Sequence, residues 1–263
     1  LAAAQQYGHN RKHCRHKTGT VPLRVHMKQQ KGFTLVEILV SIVVGMVILL
    51  AVYAAVVTGQ RSTSGIERKV IVGQDARAAL ELMSIEIQMA SFNPTMTTGI
   101  WRDPGACGSA AATPANMGIQ AASPTSISVE MDVDESGAIT DASNEVVTYT
   151  YVSDAVNGGY ITRSTNCGSP QPFLGDTVGS GNPRVVRVIN STPPPGSVAV
   201  PVFRYFNGQG TELTSFPGDI PNIARIEITL WVETEDVDPN TQQRRRFIYS
   251  TSVIPRNHVI GMQ

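Results

Sequence analysis

The chain has 263 residues, of which 41% are hydrophobic and only 6% aromatic. That is enough apolar material for one or two packed domains built on Val, Ile, Leu and Ala, and it excludes a disordered chain. The formal net charge is zero, from 21 basic and 21 acidic side chains. However, Arg11, Lys12, Arg15, Lys17, Arg24, Lys28 and Lys31 all precede residue 33, and no acid does. The rest carries 14 basic against 21 acidic residues, a net charge of −7, so a nucleic-acid partner is not expected. Histidine is equally uneven: His9, His13, His16 and His26 lie in the leader and only His258 follows. One histidine cannot supply a His-rich metal site, and a Ser–His–Asp triad would have to rest on His258. With no nucleophile elbow and no phosphate-loop motif, the chain is not expected to be an enzyme, and no cofactor is implied.

Residues 33–57 read FTLVEILVSIVVGMVILLAVYAAVV, with Glu37 as the single charge. Residues 38–57 are uncharged and make about 30 Å of helix at 1.5 Å per residue, the thickness of a bilayer's hydrocarbon core. This exceeds the roughly 7–15 apolar residues of a cleaved secretory signal, although Val52-Tyr53-Ala54 would serve as a small-residue cleavage site. Lys28 and Lys31 precede the span, so the positive-inside rule keeps the N-terminus cytoplasmic and exports everything after residue 57. A carboxylate inside a span costs roughly 2.5–3.5 kcal/mol at the bilayer centre. Glu37 therefore either snorkels to the headgroups or has a partner.

Lys31-Gly32-Phe33-Thr34-Leu35-Val36-Glu37 closely resembles the processing site of type IV prepilins and the related pseudopilins. The resemblance implies that prepilin peptidase cuts between Gly32 and Phe33 and methylates the new amino terminus of Phe33, with Glu37 as the family's hallmark acid. The cationic amine so created lies in an apolar filament core, where Glu37 of a neighbouring subunit can neutralise it; each charge alone would be costly. Met27-Lys-Gln-Gln-Lys-Gly32 looks like a complete leader peptide (27–32). Residues 1–26 begin with Leu and lack an apolar stretch, so they are expected to lie upstream of the true start at Met27. On that reading the cluster His13, Cys14 and His16 holds no metal.

Residues 58–65 are rich in Ser, Thr and Gly, and Gly59 and Gly65 each cost a helix up to about 1 kcal/mol. Periodicity then resumes: Val72, Ala76, Ala79, Met83, Ile87 and Ala90 share one face at 100° per residue, and Asn93-Pro94 predicts a stop. If continuous, a helix over 33–91 would be about 89 Å long. Its stripe is expected to seat a globular head. Within that head, β-branched runs at period two predict strands at 127–131, 145–152, 160–163, 185–189, 202–206, 223–233 and 247–254, with a hairpin turn at Asn207-Gly208. The expected fold is α+β: a long N-terminal helix, transmembrane over 33–57 and amphipathic over 58–92, packed on an antiparallel β-sheet head over 93–263, as in type IV pilins. Stretches 94–124 and 164–183 read as long Gly/Pro-rich loops, either recognition surfaces or simply floppy.

Cys107 and Cys167 fall one in each of these loops, and an exported location favours a disulfide over two free thiols. The stretch Asp132-Val-Asp134-Glu135-Ser136-Gly137 begins like a calcium loop, but Ser143 stands at the twelfth position, where an EF-hand needs a bidentate Glu. An acidic β-turn is therefore favoured over a calcium site on Asp132 and Asp134. Arg244-Arg245-Arg246 reads as a solvated hairpin turn.

The head also resembles the PilW-like branch of minor pilins, over 145–165, Phe203-Arg-Tyr-Phe-Asn-Gly208, 223–232 and Ser252-Val-Ile-Pro-Arg-Asn257. Cleavage would leave 231 residues, which suits a minor pilin with an enlarged head. The resemblance implies a subunit held in the inner membrane through 33–57, its head periplasmic, and later part of an extracellular pilus or periplasmic pseudopilus. Its implied partners are prepilin peptidase, the major pilin and other minor pilins, and the inner-membrane assembly platform. A J-like pseudopilin of a type II secretion system and a pilus-tip adhesin are the alternatives.

Overall fold

Thr34 starts the first helix. Its Oγ1 accepts the Glu37 amide N–H at 3.2 Å, a side-chain cap on an otherwise orphaned donor. From there α1 (Leu35–Gln88) runs 54 residues without a break. The computed structural model describes residues 32–154, 156, 158–176, 186–238 and 241–260, so residues 1–31, including the His13, Cys14 and His16 cluster, lie outside the described residues. Gly59 and Gly65 do not interrupt α1. The hydroxyls of Ser41, Thr58, Thr63 and Ser84 all donate to the carbonyl four residues earlier, which satisfies them within the helix.

The chain divides between Tyr53 and Ala54 into two units. In the first, the apolar side chains of α1 are exposed: Ile38, Leu39, Val40, Ile42, Val43 and Val44 all stand more than half accessible. In the second, the remainder of α1 buries Val72, Gly73, Ala76, Ala79, Leu80, Met83 and Ile87, the stripe that the 3.6-residue period predicts. α1 ends at Gln88, before Asn93-Pro94. Ser91 adopts a left-handed φ of 65°, and its N–H turns away to the Glu130 carbonyl at 2.9 Å.

The head follows as β1 (Arg102–Asp103), β2 (Ala106–Ala110), β3 (Ile119–Ser123), β4 (Ser126–Glu130), β5 (Val146–Val152), β6 (Tyr160–Thr165), β7 (Gln171–Leu174), β8 (Val186–Val188), β9 (Phe203–Phe206), β10 (Glu212–Leu213), β11 (Arg225–Thr234) and β12 (Arg246–Val253), closed by the short helix α2 (Arg256–Ile260). The long helix followed by antiparallel sheets is the α+β, type IV pilin-like arrangement expected. Two features differ from expectation. The head has two five-stranded sheets, β3-β4-β5-β6-β7 and β10-β9-β11-β12 with β8 also on β11, plus the ribbon β1-β2. The ten-residue β11 is long enough to pair β9 at one end and β8 at the other along the same side. Both sheets share one apolar core with the α1 stripe, so two layers are buried where one sheet would expose a face.

The second difference lies in the supposed loops. Stretch 94–124 contains β1, β2 and β3, and stretch 164–183 contains the end of β6 and all of β7. Ile119-Gln-Ala-Ala-Ser123 has one β-branched residue, and Gln171-Pro-Phe-Leu174 carries a proline. Neither has the composition of a strand; each is held by its neighbour's ladder, with Pro172 on the sheet edge where its missing N–H is tolerated.

Along β11, Ile226, Ile228, Leu230 and Val232 are fully buried, but Thr229, Trp231 and Glu233 of the opposite face are also below a tenth exposed. On the edge of β11 between β9 and β8, the Asn190 side chain stands in for a strand, donating to the Thr229 carbonyl at 2.8 Å and accepting the Trp231 N–H at 2.9 Å.

Candidate functional site

The amino-terminal end of the described chain is open. Gly32 and Phe33 are exposed, Phe33 by 79%. Glu37 lies in the first turn of α1, where its carboxylate also opposes the positive end of the helix dipole. It makes no ion pair among the described residues. Thr34-x-x-Glu37 thus has the spacing of a capping box, a helix-start signal written in the sequence itself. α1 is the one helix among the described residues that is long and apolar enough to cross a membrane.

Further along, a polar link fastens α1 to the first sheet. The Arg163 guanidinium on β6 grips Glu86 of α1 through Nη2 to Oε1 at 2.5 Å and Nε to Oε2 at 3.2 Å. The Tyr149 hydroxyl on β5 donates to the same carboxylate. Burial pushes the Tyr149 phenol up, and the neighbouring Glu86 charge pushes it further. Burial works against the Arg163 charge, but its bonds and attraction to Glu86 prevail and raise it. Nothing in the helical stripe marks Glu86; the pair joins residues 77 apart in sequence.

Cys107 on β2 and Cys167 after β6 are disulfide-bonded, with Cα atoms 5.8 Å apart and a sequence separation of 60. The chain between β4 and β5 is the acidic turn. Asp132 is buried and accepts the N–H groups of Ser136 at 3.0 Å and Gly137 at 2.9 Å, and the exposed Asp134 accepts the Ser136 N–H at 3.1 Å. Gly137 takes a φ of +78° there, the left-handed region where glycine is unstrained. The fold adds Glu145, which is fully buried. One carboxylate oxygen from each of Asp132, Asp134 and Glu145 lies within 4.8 Å of the others. Burial pushes the Glu145 carboxyl up, whereas the Ser136 hydroxyl holds Asp141 down. The sequence signal for Glu145 was an acid at the fourteenth loop position instead of the twelfth.

His258 is fully buried. Its Nδ1 meets the Ser91 hydroxyl at 3.0 Å and its Nε2 the Ile220 carbonyl at 3.1 Å, and burial lowers its pKa. Nδ1 thus ties α2 to the turn just past α1, and Nε2 ties it to the single turn Ile220–Asn222 before β11. The Arg244–246 run is not simply solvated. Arg245 pairs with Asp238 at 2.9 Å and Arg246 with Glu233 at 3.0 Å. Glu233 is itself buried on β11 and needs cations near it.

Residues 27–53 match the family model described as the prokaryotic N-terminal methylation motif. No curated protein and no solved structure matches the chain. The motif, on an apolar helix that leads into an antiparallel head, supports a type IV pilin- or pseudopilin-like protein. It implies processing by a prepilin peptidase and fits anchoring in a membrane.

Proposed function

We propose that this chain is a minor pilin of a type IV pilus system. In this reading prepilin peptidase cleaves it between Gly32 and Phe33 and methylates Phe33, and a few copies enter the filament to prime assembly or to form its tip. The observation that carries the reading is the methylation motif over 27–53 on a helix able to span a bilayer. The mechanism is assembly, with no substrate turned over. The span of α1 stores the subunit in the inner membrane, Glu37 registers it against the Phe33 amine of a neighbour, and the two-sheet head displays the surface that meets other pilins.

The PilW-like features of the head, including Phe203-Arg-Tyr-Phe-Asn-Gly208 on β9 and its turn, favour a pilus over a secretion pseudopilus. The test is to delete the gene and quantify the major pilin sheared from cells. Loss of surface pili, restored by the intact gene, is expected. Unchanged pili with impaired secretion would transfer the chain to a type II secretion system as a J-like pseudopilin. Unchanged pili with lost attachment would make it a tip adhesin. In the complementing gene, Glu37→Ala is expected to leave membrane insertion intact and abolish incorporation into filaments.

A further inference from the structure

We propose that Asp132, Asp134 and Glu145 form a calcium site on the head, which closes the turn between β4 and β5. This holds whichever filament the chain serves. Three carboxylates that bring oxygens within 4.8 Å of one another repel strongly unless a cation lies among them. By itself, such a cluster could be an ordinary acidic turn. Glu145 argues otherwise: it is fully buried, its Oε2 accepts the Thr140 and Ala142 N–H groups at 2.7 and 3.0 Å, and no donor reaches its buried Oε1. A buried carboxylate oxygen with no donor costs several kcal/mol of lost hydration, and a bound cation is what would compensate it.

All these donors are oxygens, which select a hard cation. A loop with three protein carboxylates suits calcium, since magnesium keeps most of its waters and takes one or two carboxylates. The site is also well placed mechanically. The Asp132 N–H donates to the Phe92 carbonyl just past α1. At the other end, the Glu145 and Val146 N–H groups both donate to Asn166 Oδ1 at 3.1 Å, beside the bridged Cys167. An ion here would clamp residues 132–145 between the end of α1 and the disulfide.

The experiment is calorimetric titration of calcium chloride into the intact chain in detergent micelles, with melting followed in EGTA and in calcium. One saturable site is expected, with a Kd of about 10⁻⁵–10⁻³ M, and a melting temperature about 5 °C higher in 10 mM calcium than in EGTA. Glu145→Gln keeps the acceptor for Thr140 and Ala142 but removes a charge. It should weaken calcium binding at least tenfold and yet melt above the wild type in EGTA. Asp134→Asn, at an exposed position, should weaken binding likewise, and it carries the test if Glu145→Gln does not fold. No saturable binding up to 5 mM calcium overturns the proposal. So does unchanged affinity in the variants, or a Glu145→Gln protein destabilised equally with and without calcium, which would make Glu145 a structural cap alone. Magnesium binding as tightly as calcium overturns the choice of ion.

Discussion

Glu130, at the end of β4, is fully buried. Its Oε2 accepts the Arg102 N–H at 2.9 Å, while no donor reaches Oε1. Burial pushes its carboxyl from 4.5 up to about 8, and the Arg102 bond and charge only partly oppose this. Between those two values the folded chain holds a proton that the unfolded chain has released, so the contribution of this group to stability is fully present below pH 4.5 and is lost as pH rises to about 8. At 1.36 kcal/mol per pH unit, holding that proton while the unfolded chain ionises costs the fold about 3 kcal/mol by pH 7, and up to about 5 kcal/mol above pH 8. Glu130→Gln keeps an oxygen for the Arg102 N–H and replaces the ionisable oxygen with an uncharged group of the same size. Urea denaturation of the intact chain in detergent, followed by tryptophan fluorescence, measures the difference; Trp101 adjoins Arg102 and reports locally. The gap between variant and wild type should widen from near zero at pH 4.5 to about 3 kcal/mol in the variant's favour at pH 7. Two pH profiles that stay parallel would show that Glu130 is ionised in the folded protein and refute the reasoning.

Other consequences are open to the same assay. Glu86→Ala leaves the Arg163 guanidinium and the Tyr149 hydroxyl without their shared acceptor and should cost about 2–3 kcal/mol; adding Arg163→Met should recover part of that loss. Cys107→Ser with Cys167→Ser opens a loop of 60 residues and should cost about 4 kcal/mol, measured against the oxidised wild type. His258 is held neutral by burial, with its pKa below 6.5. Its contribution is therefore complete above pH 6.5 and declines as pH falls from 6.5 toward the lowered value. His258→Gln should flatten that part of the pH profile, and an unchanged slope would refute the assignment.

Much of the molecule was legible because its signals are local. A run of twenty uncharged residues marks, by composition, a helix apolar enough to cross a membrane, and the stripe from Val72 to Ile87 marks its face of α1 through a period of 3.6. The alternation of Ile226, Ile228, Leu230 and Val232 marks β11 in the same way. The methylation motif over 27–53 is a contiguous string that needs no fold to be read.

Contacts between residues distant in sequence were not legible. The division of strands into two sheets and the recruitment of β3 and β7 depend on neighbouring ladders, since Ile119–Ser123 and Gln171–Leu174 have little strand propensity of their own. Gly118 is required because any Cβ there would sit 2.2 Å from the Ser91 nitrogen, a clash created only when the end of α1 meets β4. The grip of Arg163 on Glu86, the buried seats of Glu130 and His258, and the convergence of Glu145 on Asp132 and Asp134 arise in the same way. Periodicity reports which face a residue takes within its own element. Which partner that face meets is decided by packing, and packing sets the charges, bonds and burial on which the chemistry of the head depends.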